Sequence, residues 1–325
     1  MKVTVNLVSS WDVACGIAEH SAMLMDHLPA GIDIMPVPEA VDHPGAWSAG
    51  REAPLLHLNY HAGLHSRWTP DVVRDVQKGG TKVVITYHDT MAGTADAPNS
   101  DNAKALCEIA DAFIVHEPVE DLPKAIYWRQ GVLGWPKQTS TRLMSSMDVS
   151  ARPVVGTIGF PFPWKNYTEL CRQSYKAGWG VLLIAPRATR DDIEAWTNAN
   201  PHSLVISDFV SRTDAVELLA ECDATAFIYT CANTGTSGAI RMGIAARKPV
   251  LALMGCRQFR DLEEGIFWVE NLEAFGERLS YVSLERVDPH IVRLAHQDSW
   301  RNLGAGYANL YQRVMLNLRG DRSLG

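Results

Sequence analysis

Short β-rich runs closed by turn residues alternate, almost from end to end of this 325-residue chain, with segments whose apolar residues recur at helical spacing. Parallel sheets covered on both faces by crossover helices require that alternation, because their strands are buried on both sides and read as nearly continuous apolar runs. The pattern predicts doubly wound α/β sheets. Strands are expected at residues 3–8, 55–58, 82–87 and 112–116, with helices at 16–27, 69–78 and 102–110 between them. The stretch 135–152 is rich in Ser, Thr and Pro and reads as a connector. VVGTIGF then opens a second series, with strands at 181–184, 204–206, 224–228 and 250–253 and helices at 167–177, 190–199, 212–220 and 237–246.

A chain this long exceeds the size at which one hydrophobic core usually keeps growing, so two domains are expected, 1–150 and 151–298. Two such sheets imply a ligand crevice facing the carboxyl ends of both strand sets. Acidic residues outnumber Lys plus Arg by 18 to 11 before residue 150, which accounts for the formal charge of −7 and argues against a duplex-binding surface. Six cysteines, Cys15, Cys107, Cys171, Cys222, Cys231 and Cys256, are dispersed and form no CxxC pair. A reducing, cytoplasmic setting is the simplest expectation. Apolar runs such as VLLIAP and PVLALM fall far short of the roughly 20 residues that span a bilayer, so no integral membrane contact is expected.

Four segments carry chemistry. In DVACGIAEHSAML a strand exit passes through Gly16 into a helix whose first amides point into the crevice, and a glycine there lets a ligand approach the backbone closely. VVITYHDT is a buried strand ending in His88 and Asp89, an imidazole and a carboxylate placed for catalytic work on a substrate at the strand ends. GTIGFPFPWKNYTEL delivers Lys165 from an aromatic, proline-rich loop just before a helix. A departing nucleoside diphosphate carries concentrated negative charge, and without a metal the protein must supply the countercharge from cations and helix-end amides. Arg187, at the end of LLIAPRAT, is a second cation in the parallel position. In TCANTGTSGAIRMGIAARKPV, Gly235, Thr236, Ser237 and Gly238 run into a helix and offer a phosphate cradle of backbone N–H groups. An ordinary Ser N-cap with glycines for the turn is the plainer alternative.

Two patterns are set aside. His57, His61 and His65 recur every four residues, but LLHLNY is a strand running into a loop, so the helical spacing of a metal site does not apply. His61 remains a residue of the crevice on the acceptor side, as does His20 on the first helix. The chain also lacks a DxD, the paired carboxylates that hold a divalent ion in the other large class of sugar transferases. No metal and no resident cofactor are expected.

In this order the segments resemble the retaining GT-B glycosyltransferases related to glycogen-synthase and sucrose-synthase type enzymes, and a bacterial subgroup with a CGIA start in particular. CGIAEHSAML is similar to that opening, LLHLNYHAGL to its histidine-bearing strand, VVITYHDT to its strand ending in His-Asp, and VVGTIGFPFPWKN to its phosphate-lysine segment. DSWRNLGAGYANLYQRVML, within residues 299–325, resembles the final helix that crosses back to the first domain. The resemblance implies a GT-B fold with an interdomain cleft and a nucleotide-sugar donor, UDP- or GDP-linked, as co-substrate. It implies transfer to an acceptor hydroxyl with retention, by front-face attack, with the leaving phosphate helping to take the acceptor proton. Gly16 would approach the donor phosphates or the acceptor, His88 the transferred sugar, and Lys165 the diphosphate. Gly235, Thr236 and Ser237 would close around the phosphates, and Phe209 would lie near the base.

One departure stands out. The family carries two glutamates eight positions apart before its Lys-Pro-Val strand, and here those positions hold Thr234 and Met242. Methionine is a poor acceptor for a ribose diol. Arg241, Glu263 and Glu264 are the substitutes within reach in sequence. The acceptor is a glycan, a small molecule or a modified base in DNA. A sugar-nucleotide epimerase and a non-catalytic sugar-nucleotide binder are the competing readings.

Overall fold

The computed structural model describes residues 2–11, 15–38, 53–61, 65, 67–88, 100–117, 119, 122, 124–134, 153–230, 236–259, 261–262, 264–282 and 288–317. The connector at 135–152 lies outside them. The chain forms two compact units, one of residues 1–130, 233–236 and 300–325, the other of residues 131–232 and 237–299.

The first unit is built on a parallel sheet of six strands, β1 (Val3–Ser9), β2 (Ile32–Pro38), β3 (Leu55–Tyr60), β4 (Lys82–Tyr87), β5 (Ala112–Val115) and β6 (Ala125–Tyr127). Their order is β2-β1-β3-β4-β5-β6, so the chain reverses direction across the sheet between β1 and β3. Helices α2 (Pro70–Lys78) and α3 (Ser100–Ile109) cover one face, over Leu56, Leu58, Tyr60, Ile85, Tyr87 and Phe113. Thr69 accepts from the Val72 amide and Pro70 occupies the first turn of α2, where its missing N–H costs nothing.

Alternate residues of the same strands, His57, Asn59 and Thr86, face α1 (Gly16–His27) and α10 (Trp300–Met315). This second core is polar but paired. The two ring nitrogens of His57 bond the Tyr311 hydroxyl at 2.7 Å and Thr86 Oγ1 at 2.8 Å, and Thr86 Oγ1 meets the Tyr307 hydroxyl at 2.9 Å. Gly304 lets α10 lie against α1: a Cβ there would stand 2.2 Å from the His27 carbonyl oxygen.

The second unit repeats the plan with β7 (Val154–Ile158), β8 (Gly180–Ile184), β9 (Ser203–Ile206), β10 (Ala224–Phe227), β11 (Val250–Leu253) and β12 (Ile266–Val269). The order β12-β11-β10-β7-β8-β9 is that of a dinucleotide-binding Rossmann sheet, with its switch point between β7 and β10. Side chains alternate strictly between two layers. Leu182, Ile184, Val250 and Ala252 pack on α6 (Arg212–Glu221), α7 (Gly238–Ala245) and α9 (Pro289–Gln297). Val181, Leu183, Leu251 and Leu253 pack on α4 (Tyr167–Lys176), α5 (Arg190–Ala199) and α8 (Phe275–Ser280). A reciprocal capping box between Thr189 and Asp192 starts α5.

Every expected strand and helix is present, with ends displaced by no more than two residues. The sequence reading omitted β2, β6, β12, α8 and α9. All three strands are sheet edges or next to one end of the order, and Pro36 and Pro38 in β2 are tolerated because an edge strand leaves one row of N–H groups unpaired. Among the described residues no helix is long and apolar enough to cross a membrane.

Candidate functional site

The chemistry-bearing groups of the second unit gather at its switch point, beyond the carboxyl ends of β7 and β10, where open α/β sheets bind ligands. β7 is wholly buried and leads into Gly159, whose φ of 139° carries the chain into the aromatic loop. Phe162 stacks on Trp164 at 4.4 Å between ring centroids, and residues Pro163–Lys165 make one 3₁₀ turn that ends in left-handed Asn166. The Asn166 side-chain amide donates to the carbonyls of Trp164 at 3.0 Å and Ile228 at 2.7 Å, which ties this loop to the end of β10.

The tie folds Lys165 back over the strand ends, where the residue is 8% exposed. Its Nζ stands 5.0 Å above the Tyr229 ring. The Tyr229 hydroxyl donates to the Ile158 carbonyl at 3.2 Å and lies beside the hydroxyls of Tyr167 and Ser237. The Tyr167 hydroxyl donates to the Gly159 carbonyl at 2.9 Å. Burial pushes the Lys165 ammonium down to about 7. Among the described residues no carboxylate pairs with it. An amine held this way gains a proton and a partner together when an anion arrives.

Ser237 stands at the N-cap of α7 and is buried, yet its hydroxyl makes no capping bond to that helix. Its own N–H donates to the Gln258 carbonyl at 3.3 Å. Thr236 belongs to the first unit and its carbonyl accepts from Gln130 at 3.3 Å. Gly235 and Asp89, both expected site residues, lie outside the described residues, as do Thr234 and Glu263.

Arg187 sits just beyond β8 at a φ of 68°, exposed, with its guanidinium 5.6 Å from the centre of the Phe160 ring. Phe209, beyond β9, is 49% exposed, as a platform for a flat ligand must be. Arg241 is placed differently from the other cations. It is buried on α7, ion-paired with buried Asp261 and 3.4 Å from Asp298, so the structure turns its charge inward. Glu264 is on the surface with His290 and Arg293, and Met242 packs against the α6/α7/α9 core.

In the first unit Gly16 is the first residue of α1, which follows β1 at that sheet's switch point. Cys15 Sγ accepts from the Ala18 amide at 3.3 Å, and a Cβ on Gly16 would meet nothing within 4 Å. Open space above the helix start is what a ligand approach needs. His61 follows β3 and closes a turn with His65, its N–H donating to His65 Nδ1 at 3.0 Å. His57 lies in the strand and turns to α10, so the three do not share a helix face.

His88 follows β4 and is half-buried. Its ring packs against buried His20 of α1 at 4.7 Å and against buried His116, beyond β5, at 5.2 Å. Burial, with the charge of His116 next, holds the His88 imidazole well below the usual histidine range. Sequence reading missed His116, Tyr167, Tyr229 and Gly159. The signal for the first was available: His116 ends a β-run just as His88 does.

No family model matches the chain, and no curated protein matches it. Solved structures do. A sucrose-phosphate synthase from Thermosynechococcus elongatus matches with a TM-score of 0.73 at 16% identity, over 97% of this chain and 100% of that one. An α,α-trehalose 6-phosphate synthase from Burkholderia multivorans matches with a TM-score of 0.71 at 11% identity, over 98% of this chain and 100% of that one. Anabaena HepE in complex with UDP and glucose matches with a TM-score of 0.64 at 12% identity, over 97% and 99%. Two parallel six-stranded sheets, each doubly wound, and matches that run the whole length of these chains give this protein the GT-B fold.

Proposed function

We propose that the chain is a glycosyltransferase that moves a sugar from a nucleotide-sugar donor to an acceptor hydroxyl, with retention of configuration and without a metal in the transfer step. One observation carries the proposal: among the described residues the Lys165 side chain is held without a carboxylate at the β7/β10 switch point of a Rossmann sheet, within one tyrosine of the α7 N-cap. A donor diphosphate there would meet one cation and the first amides of α7, the countercharge that leaving-group departure demands. Arg187 would extend the positive edge, and Phe209 would stack on the base. Gly16 and His61 would belong to the acceptor side, with His88 as a wall against the transferred sugar and Asp89 beside it. The matched structures include two sugar-phosphate synthases and a complex with UDP and glucose, which supports a UDP-linked donor over a GDP-linked one.

A thermal-shift panel of nucleotide sugars tests the reading, because a ligand that binds only the native state raises Tm by mass action. UDP-sugars should raise it, Lys165→Ala should abolish the rise, and wild-type protein should release UDP when an acceptor hydroxyl is supplied. No shift with any UDP- or GDP-sugar would overturn the proposal.

A further inference from the structure

Three imidazoles from distant parts of the sequence converge inside the first unit. His20 comes from α1, His88 from the end of β4 and His116 from the end of β5, each anchored by an element of the sheet or its covering layer. One ring nitrogen from each lies within 4.8 Å of the other two. His20 and His116 are 3% and 4% exposed, and the Trp300 ring closes over His20 at 5.0 Å, edge to face.

The surrounding bonds decide which nitrogens carry lone pairs. His116 Nδ1 lies 2.8 Å from the Trp128 carbonyl oxygen, which only accepts, so Nδ1 holds the proton and Nε2 carries the lone pair. His88 Nε2 lies 3.3 Å from Asn59 Oδ1, and the Asn59 amide nitrogen donates to Ser21, which donates to Ser9. An amide oxygen only accepts, so with Oδ1 facing it His88 carries its proton on Nε2 and its lone pair on Nδ1. A ring whose far nitrogen is held by a carbonyl or amide oxygen is the outer-shell arrangement that orients imidazole ligands on a metal.

We propose that His20, His88 and His116 form a site for a divalent transition metal, with Zn²⁺ as the ion that a neutral three-imidazole set suits best. Ligand atoms up to 4.8 Å apart would draw in to about 3.3 Å, as Zn–N bonds of about 2.0–2.1 Å at tetrahedral angles demand. Rotation of three side chains on fixed elements covers that distance. The ion would pin α1 to the ends of β4 and β5 and fix the plane of His88. The site lies in the first unit and shares His88 with the wall proposed for the transferred sugar, and its argument rests on the geometry of the first unit, not on the transferase reading.

The test uses the full chain, stripped with chelator and titrated with Zn²⁺ and with Co²⁺. One equivalent of Zn²⁺ should bind per chain, and Co²⁺ should give the intense visible bands of a tetrahedral site. His20→Ala and His116→Ala should each lower Zn²⁺ affinity at least 100-fold, whereas His202→Ala, just before β9 in the second unit, should leave it unchanged. Wild-type protein that gives no tetrahedral Co²⁺ spectrum overturns the site whether or not the variants fold. So does Zn²⁺ binding that survives both substitutions. Donor-induced thermal shifts without Zn²⁺ binding would sink this inference alone, and Zn²⁺ binding without donor shifts would sink only the transferase reading.

Discussion

Gly159 and Lys165 occupy each other's space: a Cβ on Gly159 would stand 1.8 Å from Lys165 Nζ. The ammonium rests where every other amino acid would put its first side-chain carbon. At a φ of 139° the position also resists any L side chain. Gly159→Ala should therefore cost on the order of 1–3 kcal/mol in backbone strain, and the flexible lysine tip, which moves more easily than backbone, should be expelled from its place over Tyr229. Calorimetry with a UDP-sugar should show at least a tenfold loss of affinity in a variant that keeps its far-UV dichroism. Unchanged affinity would mean that the lysine acts from another position.

Protonation of Lys165 and donor binding should be linked. The empty protein holds the group near 7, and a bound diphosphate raises it, so binding takes up a proton above pH 7. The diphosphate diester of a nucleotide sugar does not titrate in this range. Affinity should be steady below pH 7 and weaken by up to tenfold per unit as pH rises from 7 towards the bound-state value. Lys165→Arg, charged throughout, should flatten the profile even if it binds less well. A wild-type profile that is flat from pH 6 to 9 would remove Lys165 from the phosphate site.

The parts of this site that sequence made legible are those set by position along a strand. Lys165, Arg187, Phe209 and Ser237 each follow a β-run, and parallel strands deliver their following loops to one edge of the sheet. What a side chain does after delivery depends on neighbours that the local sequence does not contain. Arg241 faces inward because buried Asp261 and half-buried Asp298, distant in sequence, stand beside it. Lys165 is a buried base rather than a surface cation because Tyr229, from beyond β10, lies beneath it. The polar layer under α10 could have been read from strands 55–60 and 82–87, where His57, Asn59 and Thr86 interrupt apolar runs on one face of the pleat. Its partners, Tyr307 and Tyr311, stand a helical turn apart near the other end of the chain.

A lysine kept ready for an anion should weaken the empty protein. Its folded value near 7 lies below the unfolded value of 10.5, so the unfolded chain binds more protons between those limits and stability rises with pH across that window. Below pH 7 the burial of the charge is felt in full, at about 5 kcal/mol as an upper bound. Lys165→Met should thus be more stable than wild type at pH 6, with the gain shrinking towards pH 10.5. Denaturant titrations at the two pH values measure it, and a Met variant less stable at pH 6 would contradict the burial argument.

Arg241 and Asp261 should be costly to separate and cheap to remove together. Both side chains are buried, so neither water nor salt screens the pair. Asp261→Asn leaves the guanidinium, among the described residues, with Asp298 at 3.4 Å as its remaining carboxylate and should destabilise by about 3–5 kcal/mol. Arg241→Met combined with Asp261→Leu should recover most of that loss, since a packed apolar pair avoids desolvating two ions. Urea unfolding of the single and double variants gives the coupling directly. Equal destabilisation in both would show that packing, not charge, dominates.

The burial of His57 beside Tyr311 should make the first unit acid-sensitive. Burial, and to a smaller extent the charge of His116, holds His57 at about 3 against an ordinary value of 6.5. The unfolded chain therefore binds more protons between pH 6.5 and 3, and stability must fall as pH drops through that window. Tyr311→Phe removes the partner of His57 Nδ1, leaves a buried ring nitrogen unsatisfied and should cost about 1–3 kcal/mol at pH 7. Adding His57→Leu to Tyr311→Phe removes both the orphaned nitrogen and the titrating group. The double variant should lose less stability than Tyr311→Phe alone between pH 7 and pH 4. A double variant as acid-labile as the single one would show that the titrating group resides elsewhere in the unit.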